Sequence, residues 1–411
     1  MTVTSETLKK TGSSTRPTVD SFQPRARMLL GPGPSNVHPS VTAALAKPLV
    51  GHLDPQFLAV MDDVQDMLRG VFLTDNRLTL AVSGTGSAGM EATLVNLVEP
   101  GDEVLVCVNG LFGQRMADIV ERIGGVLHTI ARPWGDVFAL EEIAAALDRH
   151  PSTTLVTIVH AETSTGALQP LVGLADICHD RGALLVVDAV TSLAGCELRI
   201  DDWGIDACYS GTQKCLSCPP GLAPVTVGPR GLEKMKRRTT RAVSWYLDFS
   251  LIQSYWTDGR RAYHHTAPIA MNYALHQALR LVLAEGLETR WQRHGLHSSA
   301  LMAGLAALGF VPFAAENQRL PMLNAVRLPE DFDEAPIRRE LLDAYDIEIG
   351  GGLGELAGRV WRVGLMGESA TRQSVFSLLT ALEDILLRRG RSQGIGAGVE
   401  AATRSYHALS E

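Results

Sequence analysis

The chain has 411 residues, 45% of them apolar and 20% charged, with a formal net charge of −8. A single core rarely serves that length, so two domains are expected. The acidic balance, with no basic tract, argues against a nucleic acid or an anionic membrane as partner, and the absence of any run of about 18 apolar residues argues against a spanning helix.

Residues 1–26 are rich in Ser and Thr and carry no apolar h-region. They read as a flexible arm rather than a secretory signal. The six cysteines are scattered (Cys107, Cys178, Cys196, Cys208, Cys215 and Cys218). That pattern fits reduced thiols and a cytoplasmic location. Cys215 and Cys218 form a C-x-x-C, but no second pair completes a zinc site, so they read as buried thiols.

The turn Gly31-Pro-Gly-Pro34 opens the folded part. Asp54-Pro55 is a helix start, with Asp as N-cap and Pro at the first position. Phe57, Met61, Val64, Leu68 and Val71 follow at helical spacing. Short apolar runs then alternate with helical stretches: LTLAV (78–82), EVLVCV (103–108), TLVTIVH (154–160), ALLVVD (183–188), DACYSG (206–211) and LAPVTV (222–227). Runs that are apolar throughout suit strands covered on both faces. The alternation predicts an α/β fold with a doubly wound, mostly parallel sheet, over 27–285. A helix at 272–285 ends at Gly286, and 286–411 reads as a smaller α+β domain. There we expect helices at 287–308 and 336–345, strands at 322–328, 347–349 and 359–364, and a last helix with Val375, Leu378, Leu379, Leu382 and Leu386 on one face.

Ligands of such sheets bind beyond the carboxyl ends of the strands. Three features converge there. Ser83-Gly-Thr-Gly-Ser-Ala-Gly89 contains G-x-G-x-x-G after a strand and before a helix. A dinucleotide reading wants an acidic residue ending the next strand, but that strand ends at Val108-Asn109. A helix N-terminus binding one phosphate, with Thr85 and Ser87 adding hydroxyls, is the better reading. Asp188 ends the run ALLVVD. Alone it would be a helix cap, but near a lysine it can hold a pyridinium nitrogen, with Val190 against the ring. Lys214, in Ser210-Gly-Thr-Gln-Lys214, precedes the apolar loop CLSCPPGLAP, a poor setting for a solvated amine. It can form a Schiff base and then act as general base. Together these are the handles for pyridoxal 5'-phosphate. Arg362, between apolar strand residues, needs an anionic partner if buried. It is either a structural ion pair or a clamp on a substrate carboxylate. Adjacent His264 and His265 face apart in a strand, so no metal is expected.

These residues lie in motifs that resemble the class V aminotransferases of pyridoxal-phosphate fold type I, within the alanine–glyoxylate (serine–pyruvate) group. The likeness covers about 27–390 and includes LLGPGPSNVHP, LTLAVSGTGSAGMEATLVNLVEPGDEVLV, NGLFGQR, HAETSTGALQPL, VDAVTSLAGCEL, GIDACYSGTQKCLSCPPG, YHHTAPI, EGLE, IEIGGGLG and VWRVGLMG. The resemblance implies Lys214 as the Schiff-base lysine and Asp188 as the pyridinium partner. It places Thr85, Gly86 and Ser87 at the phosphate, with Phe112, Val190, Ser192, Gln213 and Thr163 around the ring. Tyr263 and Thr266 would reach the phosphate from the neighbouring subunit of a homodimer. Arg362, Gly33 and His52 would contact substrate. The implied activity is amino transfer from alanine or serine to glyoxylate or pyruvate. Two departures leave specificity open. Phe112 stands where alanine–glyoxylate members carry Trp. His52 stands where the ureidoglycine–glyoxylate enzymes carry Gln, while Tyr263 replaces their Asn. An NAD-binding oxidoreductase rests only on the glycine fingerprint. A cysteine desulfurase would want a histidine where Gln213 stands, and a pyridoxal-phosphate regulator would want a DNA reader.

Overall fold

The computed structural model describes residues 21–256, 261–330, 332–391 and 393–409. Most of the 1–26 arm therefore lies outside the described residues. The chain builds two main sheets. The larger has seven strands in the spatial order Leu78–Ser83, Leu222–Val227, Ala207–Tyr209, Leu184–Asp188, Thr153–Val159, Glu103–Val108 and Val126–Ala131. Only Leu222–Val227 runs against the rest. The α/β, mostly parallel expectation thus holds. Its central strands Leu184–Asp188 and Ala207–Tyr209 are buried at every position, as suits runs that are largely apolar on both faces.

The strand Val126–Ala131 was not anticipated. It is an edge strand whose residues are all partly or fully exposed, so it carries no continuous apolar run to reveal it. The helix Pro55–Phe72 starts as expected: Asp54 Oδ1 accepts from the Gln56 N–H at 2.8 Å. Its stripe of Phe57, Met61, Val64 and Leu68 is fully buried against the large core.

The second sheet has the order Met28–Leu30, Ile347–Gly351, Val360–Gly364, Leu323–Arg327, Val311–Pro312. The strand Met28–Leu30 pairs in parallel with Ile347–Ile349. So the chain enters through the smaller sheet, although 27–285 had been grouped as one unit. The reason is non-local pairing, invisible in a three-residue strand. Helices Leu287–Ala307, Arg372–Arg388 and Ala397–Ala408 share a separate core with this sheet. The last of these was also not anticipated. It is anchored by Tyr406, whose hydroxyl meets His297 Nδ1 at 2.7 Å.

Six of the seven large-sheet strands point the same way, so Ser83, Val108, Val159, Asp188 and Tyr209 end at one edge. The loops that follow them meet there. Arg362 reaches the same edge from the middle strand of the small sheet.

Candidate active site

Asp188 is 2% exposed. Its Oδ1 accepts from the Val190 N–H at 2.9 Å and its Oδ2 from the Tyr209 hydroxyl at 2.9 Å. Burial pushes its carboxyl up to about 6, against the pull of those two donors and of Lys214. Lys214 is 9% exposed. Burial, reinforced by the positive charge of Arg362, brings its amine down to about 8. Its Nζ donates to the Pro32 carbonyl. The turn before it is clamped from the chain entry: the Ser35 N–H donates to the Gln213 carbonyl at 2.9 Å, and Ser35 Oγ to the Lys214 carbonyl at 2.8 Å. Gly33 has φ +107°, and a Cβ there would lie 2.7 Å from Lys214 Cδ. Only glycine lets the amine lie in this place.

The helix Gly86–Leu97 begins after Thr85, which caps it without a side-chain bond. Its first N–H groups therefore have no intrahelical acceptor. A Cβ on Gly86 would come within 3.0 Å of Val190, so the glycine turn and the residue expected against the ring face each other. Ser87 Oγ accepts from Arg115 at 3.0 Å, and the Arg115 guanidinium stands 5.1 Å from the Phe112 ring centroid. Thr163 Oγ1 pairs with Thr191 Oγ1 at 2.7 Å.

Arg362 is 5% exposed. Its Nε donates to the Gly351 carbonyl at 2.8 Å and a terminal nitrogen to the Thr163 carbonyl at 3.2 Å. It makes no ion pair among the described residues, and burial lowers its guanidinium to about 10. A buried cation held only by carbonyls is built to receive an anion.

Tyr263 and Thr266 are not drawn into this cluster within one subunit. Their hydroxyls pair at 3.3 Å and Tyr263 is 56% exposed. The neighbouring His265 bonds Ser83 Oγ at 2.7 Å, so the segment does adjoin the glycine turn. The His52 ring lies against that of Tyr263, tilted by 51°, with the centroids 4.9 Å apart. The two histidines face each other through Nδ1 atoms 2.7 Å apart, in a loop rather than a strand. Among the described residues no three His, Cys, Asp or Glu side chains are grouped to hold a metal. All six cysteines are free and buried.

Three residues of this cluster had no role in the sequence reading: Tyr209, Arg115 and Glu162. Each lies in a quoted motif, but only the fold brings it to the site. Glu162 is wholly buried, and desolvation raises its carboxyl to about 7. A cavity of about 710 Å³ opens elsewhere, lined by Arg77, His179 and Asp206 among others. It lies at the opposite ends of the strands and includes none of the residues above.

The polar set suits pyridoxal phosphate. Ser192 Oγ and Gln213 Oε1 are buried with no hydrogen-bond partner. Such orphaned atoms cost about 1–3 kcal/mol each unless a ligand satisfies them. They stand beside the residues that offer a carboxylate, an amine and a helix N-terminus.

The family model for class-V aminotransferases matches residues 37–386. The chain is a class V aminotransferase. It is similar to the crystal structure of an alanine–glyoxylate aminotransferase from Nostoc sp., at 49% identity and a TM-score of 0.89, over 92% of this chain and 100% of that one. It is likewise similar to the ureidoglycine–glyoxylate aminotransferase structure from Bacillus subtilis, at 39% identity and a TM-score of 0.92, over 94% and 100%. The alanine–glyoxylate aminotransferase of Felis catus is 41% identical over 370 residues, 89% of each chain. This aminotransferase is thus a fold type I transaminase dependent on pyridoxal phosphate. None of its helices, among the described residues, is long and apolar enough to cross a membrane.

Proposed function

We propose that this transaminase moves an amino group from a small neutral L-amino acid, alanine or serine, to glyoxylate or pyruvate. The observation that carries this reading is Arg362: one buried guanidinium without an ion pair. It binds the carboxylate shared by donor and acceptor. Arg338, which adjoins Gly351, is already held by Glu334, so it does not await a distal carboxylate. An unpaired buried carboxylate costs several kcal/mol, which disfavours glutamate and aspartate.

Pyridoxal phosphate, when bound, supplies the electron sink that stabilises negative charge at the substrate Cα. The Asp188 carboxylate would pair with the ring nitrogen and favour its protonated form. The N–H groups of Thr85, Gly86 and Ser87 and the hydroxyls of Thr85 and Ser87 would hold the phosphate. Val190 and Phe112 would flank the ring, while Ser192, Gln213 and Thr163 would satisfy its polar edge. Lys214 would anchor the group covalently and, once freed by the donor amine, would take the proton from the substrate Cα. An amine brought down to about 8 is neutral often enough to do so near neutral pH. Gly33 leaves room for this exchange. A homodimer in which Tyr263 and Thr266 complete the partner's phosphate site, and a cytoplasmic location in keeping with six free thiols, belong to the same reading.

A second reading takes ureidoglycine as donor. It is favoured by His52, which lies against Tyr263 and can offer hydrogen bonds to a ureido group. Kinetics with alanine, serine, glutamate and ureidoglycine, each against glyoxylate and pyruvate, decide between them. Alanine or serine should lead. A clear lead for glutamate overturns the single-clamp argument, and a lead for ureidoglycine establishes the second reading.

A further inference from the structure

The helix Leu111–Arg122 carries Phe112 and Arg115 into the site, yet its own N-cap, Gly110, has no side chain to cap it. The capping groups come from the loop 162–164 instead. Ser164 Oγ accepts from the Leu111 N–H at 3.1 Å. Glu162 Oε2 accepts from the Phe112 N–H at 3.2 Å. Glu162 Oε1 accepts from the Ser164 N–H at 3.0 Å and from Ser164 Oγ at 2.5 Å. The packing leaves no slack, because a Cβ on Gly110 would fall 2.3 Å from the Glu162 Cδ. Three donors converge on one carboxyl group, and its two oxygens accept from all of them. A negative charge at this helix end is also favoured by the helix dipole.

We propose that Glu162 is a positioning residue for the reaction: its carboxylate fixes the first turn of the helix Leu111–Arg122, and so the station of Phe112 at the cofactor ring and of Arg115 beside the phosphate turn. The proposal rests on the pyridoxal-phosphate reading of the site. The chain of contacts is continuous, from Glu162 to the Phe112 amide, and along one helical turn to Arg115, which donates to Ser87 Oγ. Glu162 has a second effect. Its charge acts on Arg362, which has no ion pair of its own among the described residues. It therefore offsets the buried guanidinium before substrate arrives, and opposes an incoming carboxylate.

The two effects have opposite signs in the variant Glu162→Gln. Glutamine keeps the shape but presents an amide N–H₂ where three donors converge, so at least one is left unpaired. Titration of the cofactor-stripped protein with pyridoxal phosphate, followed by absorbance, should show affinity falling roughly tenfold. In the reconstituted variant kcat should fall, while KM for alanine stays level or drops, because a negative charge near Arg362 has gone. General damage to the fold would raise KM and lower kcat together. Affinity within twofold of wild type, or a parallel loss in both kinetic constants, overturns the proposal. If Glu162→Gln does not fold, Ser164→Ala removes one arm of the same network and should weaken cofactor binding roughly threefold; unchanged binding there overturns it equally. The wild-type titration runs alongside. A wild-type protein that binds no pyridoxal phosphate refutes the reading of the site itself, whereas normal wild-type binding with an unaffected variant refutes only the role of Glu162.

Discussion

The Tyr209 hydroxyl donates to Asp188 Oδ2 at 2.9 Å, and both side chains are almost wholly withdrawn from water. This bond supports a carboxylate that burial alone would neutralise. Tyr209→Phe should therefore push the Asp188 carboxyl further up. We expect turnover to fall roughly tenfold at pH 7, the equivalent of one hydrogen bond to a charged group. The acid limb of the pH–rate profile should also move to higher pH. A profile that superimposes on wild type rules out this role for Tyr209.

Asp188 makes a stability prediction with a definite sign. Its carboxyl is raised in the folded state from 3.8 to about 6. The folded form then binds the proton more tightly than the unfolded form. Its stabilising contribution is full below about pH 4 and is lost as pH rises through about 6. Cofactor-free Asp188→Asn should match wild type near pH 4 and exceed it at pH 8, by on the order of 2–3 kcal/mol. Urea unfolding at the two pH values measures this. The same variant should keep the bound cofactor but lose most of its turnover.

The purified protein should be yellow, and Lys214→Ala should lose that absorbance because the covalent anchor is gone. A colourless wild-type protein that stays inert with added pyridoxal phosphate, yet binds NAD, would sink the transaminase site assigned here.

Tyr263→Phe and Thr266→Ala should each weaken cofactor retention. They should also complement across subunits. Mixing Lys214→Ala chains with Thr266→Ala chains gives hybrids in which one site carries both defects and the other neither. Activity above both parents supports shared sites, and hybrids no better than either parent exclude them.

Much of the site was legible because its chemistry demands particular residue types at strand ends. Lys214 followed a short strand and entered an apolar loop, and Asp188 closed an apolar run. Ser83–Gly89 joined a strand to a helix. Each is a local pattern, so the strand-end rule could place them at one edge before any coordinates. Arg362 was legible as a buried cation, but its freedom from an ion pair was not. That depends on which carboxylates lie near it in space.

Residue pattern alone was enough for the α/β class, the order of most elements along the chain, and the choice of Lys214 and Asp188 as candidates for the anchoring amine and its partner carboxylate. Periodicity and residue type are local properties, and they suffice for that. The tertiary structure alone decided that Met28–Leu30 belongs to the smaller sheet, that Tyr209 supports Asp188, and that Glu162 caps a helix more than 40 residues before it. Each of these depends on hydrogen bonds between groups far apart in the chain. Their donors and acceptors look unremarkable where they stand in sequence. Only burial, which removes water as the alternative partner, turns them into structural requirements.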